Sequence, residues 1–122
     1  MQPITKVSQR RETSHSGEPV VILGLSGDIS STSKDAILGA HQAVRGTAKH
    51  ILLDFTKVDY INSSGIAIVI QMLLHADRTG AQRIGIFGLS PHFEKVFKMV
   101  GINRYASLYP DGATALSGNR QA

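Results

Sequence analysis

An α/β fold is predicted for this chain, with a mixed sheet of four to five strands and helices packed on the sheet. Three observations predict it. Short β-branched apolar runs alternate with longer stretches whose apolar residues recur at helical spacing. One of the runs, residues 50–55 (HILLDF), is apolar at successive positions, as in a strand covered on both faces. Glycines and helix-capping residue types stand at most of the boundaries between these stretches. The resulting order is β-β-α-β-α-β-α-β-(α), an alternation that implies parallel crossovers.

Taken in order, residues 4–12 (ITKVSQRRE) alternate weakly around Ile4 and Val7 and carry enough charge to be a protected edge strand. Residues 13–19 (TSHSGEP) have turn chemistry, and residues 20–27 (VVILGLSG) suit an inner strand, so the two strands are expected to form a hairpin. A loop dense in N-cap residue types follows, with Thr32 or Ser33 capping a helix that runs to about Arg45 before Gly46. Its apolar positions are Ala36, Ile37, Ala40, Ala43 and Val44, a small-residue face suited to close packing on the sheet.

The strand at 50–55 leads through a loop to a nearly all-apolar helix from about Ser64 to Ala76, closed by Gly80. A fourth strand spans 83–88 (RIGIFG), and Ser90 then caps a helix with Pro91 at its first position, where the missing N–H costs least. Phe93, Val96, Phe97 and Val100 form an amphipathic stripe ended by Gly101. Residues 106–109 form a short last strand, and a final helical turn starts at Pro110–Asp111 and reaches Leu116.

At 122 residues the chain is expected to be one domain, with a core over about 4–116 and a frayed tail at 117–122. Apolar residues make up 42%, enough for burial to drive folding. Cysteine and tryptophan are absent, which removes disulfides, thiolate zinc sites and cysteine nucleophiles. There is no apolar h-region at the start and no run of the ~18 apolar residues that a spanning helix needs. The expectation is a cytoplasmic protein without membrane association. Thirteen Lys and Arg stand against nine Asp and Glu, a net charge of +4. These basic residues are scattered and no aromatics interleave with them, so they read as solvated surface and no nucleic-acid partner is expected.

Enzyme chemistry finds little support. The five histidines (15, 41, 50, 75 and 92) show no metal-ligand spacing, so no metal is assigned. Ser63 lacks the G-x-S-x-G elbow, no glycine loop has nucleotide-binding form, and no cofactor is expected. What remains is Asn62-Ser63-Ser64-Gly65, between an apolar strand and an apolar helix, where backbone N–H groups lack helical partners. The residues alone leave two uses open. Asn62 or Ser63 can simply cap the helix, for about 1 kcal/mol. Alternatively a serine is phosphorylated, adding roughly −1.5 to −2 charge that the helix N–H groups accept without unfolding.

Asp59-Tyr60-Ile61-Asn62-Ser63-Ser64-Gly65-Ile66 after its apolar strand resembles the phosphorylation motif of the STAS domain, closest to stand-alone bacterial anti-sigma-factor antagonists (anti-anti-sigma factors). Leu25-Ser26-Gly27-Asp28-Ile29 resembles the family's G-[DE]-[LI], and residues 93–102 (FEKVFKMVGI) resemble its third helix and stop. The resemblance covers about residues 4–116, and the STAS fold it implies has the element order derived above. By position it selects Ser63 for phosphorylation, with Ser64 as second choice. The family's usual Asp before that serine is Asn62 here, which keeps capping geometry but removes a carboxylate beside the future phosphate.

The resemblance also implies partner switching. Unmodified protein would bind an anti-sigma factor that is itself a serine kinase, phosphorylation at Ser63 would release it, and a serine phosphatase would reset it. Asp28, Ser30, Ser31, Asn62, Ser63, Ser64 and Gly65, with the exposed part of the third helix, would form the contact surface. Such a protein would be a monomer or weak dimer and not an enzyme. The alternatives are a STAS module in another regulatory or transport complex, with a non-sigma output, and a small enzyme using Ser63 or His50.

Overall fold

The computed structural model describes residues 5–44, 46–79 and 82–117. Ile4, Arg45, Gly80 and the tail beyond Ser117, all assigned from sequence, lie outside the described residues. Strands β1 (Lys6–Thr13), β2 (Pro19–Ile29), β3 (His50–Ile61), β4 (Arg83–Phe87) and β5 (Ser107–Tyr109) form one sheet in that spatial order. The hairpin β1–β2 is antiparallel and every later pairing is parallel. Helices α1 (Lys34–Val44), α2 (Ser63–Thr79), α3 (Pro91–Met99) and α4 (Gly112–Ser117) supply the connections and the end. Short 3-10 turns at Ser31–Ser33 and Ile102–Arg104 precede α1 and β5.

Two strands outrun their expected ends. β2 continues to Ile29 and β3 to Ile61, because β3 bulges twice, opposite Gly24–Ser26 and opposite Gly27–Asp28. Each bulge places one extra residue on β3 and bends it. Asp54 serves the first of these: its Oδ1 accepts the Thr56 N–H at 2.9 Å and the Thr56 hydroxyl at 2.6 Å. Gly27, at φ +85°, takes the left-handed conformation on the partner strand. The stretch 56–61, expected as loop, is therefore sheet, and it delivers Ile61 buried beside Ile29 at the start of α2.

Parity along the strands assigns the two faces. Val21, Leu23, Ile51, Leu53, Ile84, Ile86 and Leu108 share the main core with Ile37 and Val44 of α1, five buried residues of α2 and Phe97 of α3. The second face holds a smaller cluster, Val20, Ile22, Leu52, Phe87 and Tyr109, under Ala115 and Leu116 of α4. Coverage on both sides explains the unbroken apolar run of β3.

Helix detail departs from pattern in four places. On α1 the buried line is Ile37, His41 and Val44, and Ala43 is exposed. His41 is tolerated inside because its Nε2 meets Gln82 Oε1 at 2.9 Å, while the Gln82 amide donates to Ala48 O. Val100, expected on the α3 stripe, is 48% exposed, since α3 ends at Met99. Ser117, assigned to the tail, belongs to α4 and donates to Thr114 O at 2.7 Å. Ser90 and Pro91 do start α3 as read, with the Ser90 hydroxyl accepting the Phe93 N–H.

Candidate functional site

The start of α2 is built by one residue accepting and donating at once. Asn62 Oδ1 accepts the Gly65 N–H at 2.8 Å, and Asn62 O receives the Ile66 N–H at 3.0 Å. Its own N–H donates to Ile29 O at 3.1 Å, fastening the helix start to the end of β2. Asn62 is the cap, and neither serine is used for it. Ser63 and Ser64 are exposed at the first two helical positions, and among the described residues no acceptor occupies their N–H groups. Those donors and the aligned peptide dipoles favour negative charge at this point. Asn62→Ala is expected to destabilise the fold by about 1 kcal/mol in urea unfolding, with Asn62→Asp at least as stable as the parent.

Gly65, assigned from sequence to the contact surface, is buried. A Cβ on it would stand 2.3 Å from Ile29 O and 2.7 Å from Ile29 C, so what it supplies is close approach of helix to strand. The loop before α1 is likewise tied from within. The Thr5 hydroxyl donates to Asp28 O at 2.7 Å and also bonds Ser33, which is buried. Ser30 caps the 3-10 turn that leads into α1, accepting from Thr32 N and forming a reciprocal pair with Ser33, which directly precedes α1. Asp28 is half-buried beside Tyr60 in the strand register, and Ser31 is exposed. The sheet's C-terminal edge thus gathers Asp28, Ser31, Ser63 and Ser64, while the side chain of Ser30 is engaged in its own turn.

An aromatic group at this edge was not singled out from sequence. Tyr60 is 56% exposed and meets the Phe93 ring edge-on at 6.2 Å, and His92 meets Phe93 at 5.0 Å. A small hollow of about 60 Å³ opens between Val58, Asp59 and Phe93. The one signal available was Tyr60 itself, a large ring between the polar Asp59 and the buried Ile61. Met99, at the end of α3, is a separate exposed apolar side chain at 78%.

His50, the proposed alternative partner of Ser63, starts β3, and Ser63 follows its end. The 12-residue strand β3 runs from one to the other, on the order of 30–40 Å at ~3.3 Å per residue, so they cannot meet. Burial and the nearby Arg83 push the His50 pKa down, while Glu18 opposes them. Elsewhere a cavity of about 310 Å³ lies between α1 and α2, lined by Leu38, His41, Gln42, Gln71, Leu74 and His75. Among the described residues no group of three potential ligands is placed to hold a metal, and no helix is long and apolar enough to cross a membrane.

Residues 12–110 match the family model described as Mlab, STAS domain. Among curated proteins no significant match is found. An anti-sigma factor antagonist from Mycobacterium paratuberculosis superposes with a TM-score of 0.69 at 20% identity, over 91% of this chain and 92% of its own. SpoIIAA, an anti-sigma factor antagonist, in its unphosphorylated form gives 0.64 at 17% identity, over 89% and 92%. The phosphorylated form of SpoIIAA, a Bacillus cell fate determinant, gives 0.59 at 17% identity, over 85% and 93%. At such identities the likeness is one of fold.

Proposed function

The chain belongs to the STAS domain family, and from that premise we propose that it is a regulatory anti-sigma-factor antagonist working by partner switching. Unmodified, it binds an anti-sigma factor with serine-kinase activity through the edge formed by Ser63, Ser64, Asp28, Ser31 and the Tyr60–Phe93 pair. The kinase transfers the terminal phosphoryl group of ATP to the Ser63 hydroxyl, whose proton is lost. The added charge then stands in a contact arranged for a neutral serine, and the complex dissociates. A serine phosphatase restores the first state. The protein itself carries out no chemistry, needs no cofactor and works in the cytoplasm as a monomer or weak dimer.

What carries this reading is the division of labour at the helix start. Asn62 does the capping, so the Ser63 hydroxyl is exposed and unused by the fold. A phosphate there meets N–H donors rather than apolar packing, so modification changes the surface and spares the interior. The existence of both phosphorylated and unphosphorylated SpoIIAA with this fold supports the same use. The test is intact mass and site mapping after incubation with ATP and the chain's cognate kinase. One phosphate on Ser63, absent from Ser63→Ala, is expected; an unmodified chain, or phosphate elsewhere, overturns the reading.

A second reading is favoured by Asn62, which stands where the family's usual motif has Asp. In that reading the same edge docks in another regulatory or transport complex, and phosphorylation plays no part. A stable partner bound equally well by parent and Ser63→Asp would select it.

A further inference from the structure

At the opposite end of the sheet the second face is left open. α4 covers it over Val20, Ile22, Leu52, Phe87 and Tyr109, and a cleft remains beside His50, Arg83 and Ser107. His50 and Arg83 are register partners, Gly85 pairs with Ser107 and Phe87 with Tyr109, so His50, Arg83, Ser107 and Tyr109 all project to this face. Gly85 lets the Leu52 side chain and the Tyr109 ring close over it, where a Cβ would collide with both, and so seats Tyr109 at the side of the cleft. The connection into β5 raises Asn103, Arg104 and Tyr105 as a wall. The result is a cleft of about 460 Å³, within the size range of small-molecule sites.

Its charge is one-sided. Arg83 and Arg104 line it, and among the described residues that line it there is no carboxylate and His50 is the one titratable group besides the arginines and tyrosines. Glu18, just outside, binds one arm of the Arg83 guanidinium, which has five donors to offer. Burial first and Arg83 second hold the His50 pKa down, against Glu18, so the imidazole adds little positive charge of its own to the cleft. Planar guanidiniums recognise phosphate and carboxylate groups through paired hydrogen bonds. Tyr105 and Tyr109 add ring surface beside them.

We propose that this cleft, bracketed by Arg83 and Arg104, binds a small organic anion through a phosphate or carboxylate group. Because β3 separates it from Ser63, the site does not depend on the phosphorylation reading and can stand or fall alone. The test is an amide and imidazole NMR titration of the whole chain in phosphate-free buffer, with inorganic phosphate, phenyl phosphate and benzoate as separate probes. Saturable shifts confined to His50 and residues 82–85 and 103–109 are expected, with a rise in the His50 pKa and a dissociation constant on the order of 1 mM or below for phenyl phosphate.

Arg104→Gln is expected to weaken binding about tenfold. Glu18→Gln, which frees Arg83, is expected to strengthen it severalfold, an outcome that damage to the fold cannot imitate. Preference for phenyl phosphate over benzoate assigns the site to phosphates, and the reverse to carboxylates. Shifts that never saturate with any probe, that ignore Arg104→Gln, or that centre on Ser63–Gly65 overturn the proposal.

Discussion

Ser63→Asp is expected to lose affinity for the kinase partner by about a hundredfold or more, while Ser63→Ala stays within a few fold of the parent. A charge forced into a contact without a counter-charge costs roughly 3–5 kcal/mol, and each 1.4 kcal/mol is a factor of ten. The variant's stability should move the other way. An anion at the first helical position is favoured by the helix dipole by about 0.3–1 kcal/mol, and among the described residues no backbone acceptor holds the N–H groups of Ser63 and Ser64. Affinity falling while the melting temperature holds or rises is the signature of a surface switch. Titration calorimetry for binding and thermal unfolding for stability check the two halves separately. Equal binding of Ala and Asp variants would remove charge from the mechanism.

Gly65→Ala is expected to destabilise the protein by about 2 kcal/mol, read as a fall of roughly 8 °C in Tm. The backbone at Gly65 has no positive φ, so conformational strain is not the cause. Collision is. The new methyl would stand 2.3 Å from Ile29 O, the same carbonyl that accepts the Asn62 N–H. Moving α2 outward to make room weakens that hydrogen bond and opens the contact, at about 1–3 kcal/mol for overpacking and ~1 kcal/mol for the bond. The better helix propensity of alanine returns about 1 kcal/mol of this. Partner binding should weaken as well, because Ser63 moves with the helix start. An unchanged Tm would mean the helix and strand do not touch at this point.

Much of the architecture was legible because periodicity and punctuation agreed. Ser90 followed by Pro91 marked a helix start that the structure keeps, and the doubly apolar β3 run foretold a sheet covered on both sides. Bulges were not legible. Thr56, Lys57 and Asp59 on β3 and the Gly27–Asp28 pair on β2 carry loop chemistry, and only the register reveals that both strands continue through them. The choice of cap was undecided between Asn62 and Ser63, since both side chains can accept an N–H; the geometry assigns it to Asn62. Ser30 gave no sign of being the cap of its turn, in a run where every neighbour was an equally good candidate. Gly65 looked like surface because its burial depends on Ile29, thirty-six positions earlier in the chain. The Tyr60–Phe93 pair and the Arg83–Arg104 cleft were hidden for the same reason: each joins residues that only the fold brings together.

The substitution of Asn for Asp at position 62 takes its meaning from this geometry. The amide oxygen meets the Gly65 N–H as a carboxylate would, so the helix start is conserved in form. What differs is the charge beside the Ser63 hydroxyl. A kinase that relies on that neighbouring carboxylate would act slowly here, and Asn62→Asp would speed phosphorylation without changing the cap.

One phosphate on Ser63 is expected to dissolve the complex and leave the fold intact. The most direct measurement uses a single preparation, phosphorylated by the cognate kinase and then returned by a serine phosphatase, titrated against the partner at each stage. The account predicts tight binding, loss of binding and recovered binding, with superimposable amide spectra outside the α2 start and the adjoining 28–33 loop. Binding that is the same at all three stages, or loss of binding accompanied by loss of spectral dispersion, would contradict it.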